Sequence, residues 1–258
     1  INDAETGSDG SKGLPKTWRL GSRPNLKQMH SAACESILPD LIETKLLDEI
    51  QRVKSLTAGA SAVVGKVHNL PERPKDIEDD GDFHFAVLGP KAASDSGKPS
   101  AEARRFLDER TAADNLRVFR NAVVLVAPSR DGLDIVRNSI REYIGWEEVA
   151  LQLKDQPLDP IRADLLAAKR DTARKRIPEA IQQAYCIVVA VSDKNEAQAF
   201  KVSVDSRPLF QIIKDDARSR IQDTAISAEA MLPGGPYDLW REGETAHRVK
   251  DLVNAFAQ

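Results

Sequence analysis

The stretch R-V-F-R-N-A-V-V-L-V-A-P-S-R-D-G-L, residues 117–133, decides the fold. Its six consecutive apolar residues, Ala122 to Ala127, follow Asn121 and end at Pro128-Ser129. A run of that length without polar alternation fits a strand buried on both faces, and such strands belong to parallel sheets covered by helices. Ser129 then stands where a helix cap is needed, and Leu133, Val136, Ile140 and Ile144 recur at helical spacing. Ser129, Arg130 and Asp131 therefore lie at the carboxyl end of a buried strand, where open α/β sheets receive ligands.

Working outward, Leu26 to Leu56 reads as helix interrupted at Pro39, Ala62 to Val67 as a strand, and Pro71 to Asp82 as an exposed acidic loop. Phe83 to Leu88 reads as a strand, and Pro99 stands in the first turn of a helix through Phe106. After the central strand, the helix beginning at Ser129 extends with a break toward Leu153, and Asp159-Pro160 starts the next one. Tyr185 to Val191 is a second buried strand, Ala199 to Val204 an edge strand, and Pro208 to Met231 a helix. The expectation is an α/β fold: three αβα layers around a mostly parallel sheet of about five strands with crossover helices.

Residues 1–16 have a linker composition, 17–232 form the α/β domain, and 233–258 form a docking turn plus an amphipathic helix bearing Val249, Leu252, Val253 and Phe256. A chain opening on Ile1 rather than methionine, with a glycine- and serine-rich start, is expected to be part of something longer. Net charge is −3 with pI near 5.9, so the chain carries no global basic field for nucleic acid or an anionic membrane. Cys34 and Cys186 lack zinc-type spacing, and no apolar run approaches the roughly 18 residues of a membrane span. A cytoplasmic protein with no metal site and no membrane contact is expected.

Phosphate-loop spacing occurs only in broken form. Gly59 to Val67 has one residue too many and lacks the metal-binding hydroxyl, while Gly89 to Ser100 places Pro99 where an amide is needed, leaving Lys91 and Lys98 as anion contacts in a flexible loop. Ser129, Arg130 and Asp131 on one strand end, and Ser192, Asp193 and Lys194 on another, would form a ligand-binding or trans-acting rim if the two strands are neighbours. Capping alone accounts equally for Ser129 and Asp131. Arg120 and Asn121, at the strand entrance, read as structural. His30, His68, His84 and His247 are scattered, without a local catalytic signature. Lys169, Arg170 and Arg174 make a basic helical segment that is either a solvated face or a nucleic-acid contact. Tyr237, Leu239 and Trp240 sit among glycines and prolines as an anchor for packing or for a partner.

Several stretches together resemble one family: W-R-L-G-S-R-P-N-L from Trp18, F-H-F-A-V-L-G-P from Phe83, F-R-N-A-V-V-L-V-A-P-S-R-D-G-L from Phe119, the run from Ala184 to Asp193, and L-P-G-G-P-Y-D-L-W-R-E-G-E-T from Leu232. They are similar to the large predicted AAA+-type ATPases of bacteria and archaea classed under domain of unknown function 499. The resemblance covers about residues 17–258. It implies a downstream segment of a multidomain ATPase whose phosphate-binding loop lies upstream, often encoded beside DNA methyltransferases and helicases in phage-defence or restriction-like islands. No catalytic residue carries over.

The leading expectation is thus a noncatalytic coupling module: no cofactor in this segment, ATP and magnesium for the parent protein. Its expected partners are the ATPase core or sister subunits, with methyltransferase or helicase partners and indirect DNA association. Two alternatives stand beside it. One is a metal-dependent hydrolase or nuclease-like domain using Asp131 and Asp193; the other is a nucleic-acid-binding module using the basic helix.

Overall fold

In the computed structural model, the described residues are 3–4, 18–19, 25–63, 66–192 and 194–221, with 232–234, 240, 243, 246, 248 and 250. The span read as one α/β domain contains two compact units. A helical unit takes Ile1–Leu46 with Arg137–Ile177, and a sheet unit takes Leu47–Val136 with Pro178–Gln258. The linker segment and the C-terminal turn and helix lie almost wholly outside the described residues, as do Tyr237, Leu239 and His247.

Strands β1 (Asp3–Ala4) and β2 (Trp18–Arg19) pair antiparallel. The sheet unit is built on β3 (Lys66–Asn69), β4 (His84–Val87), β7 (Val123–Ala127), β8 (Ile187–Val191) and β9 (Ala197–Lys201), in the order β3-β4-β7-β8-β9. The first three run parallel, whereas β7-β8 and β8-β9 are antiparallel. A small hairpin, β5 (Glu109–Ala112) with β6 (Asn115–Leu116), precedes β7.

Every residue of β4, β7 and β8 is buried, as the unbroken apolar runs of β7 and β8 require, and His84 is the polar member of β4. Register puts Ala86, Leu125, Val189 and Ala199 side by side on one face. There they pack against Ala103, Phe106 and Leu107 of helix α4 (Ala101–Asp108). Phe85 faces the other way and meets Phe210 of α7 (Leu209–Asp215) edge-on, with centroids 5.2 Å apart. The sheet is therefore covered on both faces, giving three layers within this unit.

Some boundaries differ from expectation for local reasons. Ala60–Val63 forms the short helix α3, and β3 starts only at Lys66. Ser100, not Pro99, begins α4, its Oγ accepting from Ala103 N at 3.1 Å. Helix α7 stops at Asp215 because the Asp216 carboxylate caps the following turn through Arg218 N at 3.0 Å.

Two long helices link the units. Helix α5 (Arg130–Gln152) leaves β7, and α6 (Pro160–Ala184) leads into β8, continuing through Pro178. In the helical unit α1 (Leu26–Ser36) and the start of α2 (Pro39–Arg52) join them. Leu26, Ala33, Trp146, Val149, Leu166 and Ala173 form the core there. Gly145 permits a close crossing, since a Cβ at that position would lie 2.5 Å from Cys34 Sγ.

Candidate functional site

The carboxyl ends of the parallel strands carry the first candidate. Beyond β3 come Leu70, Pro71 and Glu72; beyond β4 come Gly89, Pro90, Lys91 and Ala92. Together with Leu47, Gln51, Glu102 and Phe106 they line a cleft of about 440 Å³. Its single cation, Lys91, stands against two carboxylates, Glu72 and Glu102, a balance that repels a polyphosphate.

The 89–100 loop is built rather than flexible. Ser94, fully buried, donates from Oγ to Ala92 O at 2.8 Å and accepts from Ser100 N at 2.9 Å. Gly97 adopts φ +79° and donates its amide to Ala199 O at 2.7 Å. Such a turn needs the left-handed conformation that glycine tolerates.

Beside this loop stands the β7–α5 junction. Ser129 bridges to Ser94, its amide donates to Ala184 O at 2.8 Å, and its Oγ accepts from Gly132 N at 3.2 Å. Its role there is that of a cap. A Cβ on Gly132 would meet Ser129 Oγ at 2.6 Å and Ala184 Cα at 2.7 Å. The place where a nucleotide-binding sheet holds phosphate is thus filled by the end of α6, and the Ser129 and Gly132 amides are spent internally. Arg130 pairs with Asp95 at 3.4 Å, both well exposed, and Asp131 is exposed in the first turn of α5.

The expected single rim is corrected by strand direction. β7 and β8 are neighbours, but β8 runs antiparallel, so Ser192 and Lys194 lie at the entrance of β7 and not at its exit. A strand of five residues spans roughly 17 Å, which separates them from Ser129, Arg130 and Asp131 by about that distance. Asp193 itself lies outside the described residues, while its neighbours make a turn in which Ser192 Oγ accepts from Lys194 N and Glu196 N. Arg120, on this lower side, donates to Asp108 at 2.6 Å and to Asn195 O at 3.2 Å, a structural role.

Two constellations had no sequence signal strong enough to single them out. Arg117 is buried and donates to four carbonyls: Phe106 O, Ile77 O, Glu78 O and Pro74 O, at 2.7 to 3.2 Å. Asp79 accepts from the Val118 and Phe119 amides. The segment expected as an exposed acidic loop is thereby clamped, with Pro74 and Ile77 buried.

The second is a chain of titratable groups. His84, buried in β4, lies 3.0 Å from Asp80 Oδ1 through Nε2 and 3.0 Å from His68 Nε2 through Nδ1. An ionised carboxylate only accepts, so His84 Nε2–H donates to Asp80 and its Nδ1 receives His68 Nε2–H. Lys66 binds Asp80 and Glu78 and reaches Asp82 at 3.3 Å. Lys66 and then His84 hold the Asp80 carboxyl far below the usual carboxylate range. Burial, followed by His84, pushes the His68 imidazole down. The two rings share one proton across their contact.

In the helical unit, the basic helix is divided. Arg170 pairs with Glu147 at 2.6 Å, and Arg174 lies over the Tyr143 ring at 5.2 Å, so an aromatic neighbour does exist. Lys169 instead lines a separate cleft of about 420 Å³ with Lys27, His30, Trp146 and Arg176.

No family model matches the chain, and neither a curated protein nor a solved structure matches it. Among the described residues, no helix is long and apolar enough to cross a membrane.

Proposed function

We propose that the chain is a noncatalytic α/β module of a larger AAA+-type ATPase. It docks on the ATPase core of its own polypeptide or of a sister subunit, and passes nucleotide-dependent movement to a DNA-processing partner of the methyltransferase or helicase kind. The observation that carries this reading is the closed β7–α5 junction, where Gly132 packs on Ala184 and leaves no phosphate cradle. The acidic balance of the neighbouring cleft points the same way. The motif resemblance supplies the ATPase parent.

Calorimetric titration of the 258-residue chain with Mg-ATP tests the first half: no saturable heat is expected, and tight binding or hydrolysis overturns the reading. We assign the trans role toward a neighbour's nucleotide to Arg130, and its exposed pairing with Asp95, weak enough to exchange, supports that assignment. In the full-length parent, Arg130→Ala is expected to lower ATP turnover by about a thousandfold. Unchanged turnover would remove Arg130 from that role.

A further inference from the structure

The cleft of the helical unit combines features that the coupling role does not use. Lys27 enters it from the first turn of α1, while Lys169 and Arg176 enter from α6. Seven residues of helix place the two α6 cations on one face, about 10 Å apart along the axis. The one carboxylate in the lining is Glu142, so the formal balance is three positive against one negative, +2.

Neighbouring cations on α6 are already engaged, Arg170 with Glu147 and Arg174 with Tyr143. Among the described residues, no ion pair engages Lys27, Lys169 or Arg176. Three like charges gathered around a single carboxylate repel one another, a cost that an anionic ligand removes.

The floor is apolar. Leu26, Trp146 and Ala173 are buried there, and Leu165 stands half exposed at the lip. His30 stacks on Trp146 with centroids 4.0 Å apart and donates from Nε2 to Glu142 O at 3.0 Å, so the ring is held in place. Gln28 N is capped by Asn25, while the Leu26 and Lys27 amides at the start of α1 have no helical acceptor.

The geometry points to a binding site for a small phosphate monoester carrying an apolar or aromatic body, its phosphate held by Lys27, Lys169 and Arg176 and its body lying on the Leu26–Ala173 floor. The 420 Å³ volume falls within the range of small-molecule sites, roughly 300 to 1,000 Å³. A polymer is the poorer fit, because a chain of net charge −3 adds no general attraction for a polyanion beyond this local patch.

The test uses the whole 258-residue chain, with 1-naphthyl phosphate as probe and inorganic phosphate and a twelve-residue oligothymidine as comparisons. Calorimetry gives affinity, and the Trp146 indole resonance reports occupancy. Saturable naphthyl phosphate binding is expected, at least tenfold tighter than inorganic phosphate. Lys169→Ala or Arg176→Ala should weaken it tenfold or more, while Arg170→Ala leaves it unchanged. Three results overturn the assignment: no saturable shift at Trp146, equal loss in Arg170→Ala, or oligothymidine binding tenfold tighter than naphthyl phosphate. Mg-ATP heat that is lost in Lys169→Ala belongs to this site, whereas heat that survives that substitution counts against the coupling role, so the two fail distinguishably.

Discussion

Arg117 shows how much one side chain decides. Its guanidinium satisfies carbonyls from segments about forty residues away in sequence, so its importance is invisible to local periodicity. Replacing it with methionine strands those acceptors in a dry site, and an equilibrium urea titration should register a loss of roughly 3 kcal/mol. Arg117→Lys is expected to recover little, because a single ammonium does not reproduce a planar fork. The histidine pair has its own signature in pH. His68 is held below its ordinary value of 6.5, so the unfolded chain binds the extra proton more readily and stability declines as pH falls below about 6.5. A second proton on the pair would also set N–H against N–H across the 3.0 Å contact. Asp80 adds a separate loss below about pH 3.8, since it is depressed in the fold. Thermal melts between pH 7 and 5 should show the first decline, and His68→Gln, which keeps a donor without titrating, should flatten it. These histidines looked scattered because only the pairing of β3 with β4 brings them together.

At the scale of elements, the buried strands β7 and β8 were legible from unbroken apolar runs, and the helix starts at Ser129 and Asp159 from their capping side chains. The start of β3 was not, because Ala60 to Val67 is short and apolar, and periodicity does not separate helix from strand in such runs. The direction of β8 was recoverable in principle. A single crossover helix returns the chain to the start of a strand and makes the next one parallel. Two antiparallel helices return it to the end it left, and the break around Asp159-Pro160 marks two. Contacts of Glu147 with Arg170 and Tyr143 with Arg174 confirm that hairpin, and the antiparallel β8 follows. A tight joint in the sheet unit is Gly132 on Ala184, where a Cβ would meet Ser129 Oγ and the Ala184 backbone, the latter with little room to move. Gly132→Ala is expected to cost about 1–3 kcal/mol, read as a shift in the unfolding midpoint, despite alanine's better helix propensity. A neutral or stabilising result would show that the joint is looser than its geometry.

For the whole molecule, burial ranks the elements by resistance to opening. Amides in β4, β7 and β8 should exchange slowest with deuterium, and those of the edge strands β3 and β9 sooner. Equal protection across the sheet would show that it opens only as one body. The covered αβα sheet was foreseeable from composition and pattern, whereas the helical unit was not, because it is assembled from α1 and from portions of α2, α5 and α6 whose remaining residues belong to the sheet unit. Along α6 the helical unit ends at Ile177 and the sheet unit resumes at Pro178, a residue without an amide to donate. The clamp on the acidic segment has a practical corollary. Glu72 and Glu78 lie in a stretch whose proline and acidic composition invites cleavage, yet its carbonyls are held by Arg117 and its Asp79 carboxylate by the Val118 and Phe119 amides. A glutamate-specific protease should therefore spare those two peptide bonds for as long as the guanidinium stays seated, which turns the digestion rate there into a clock for the clamp's release.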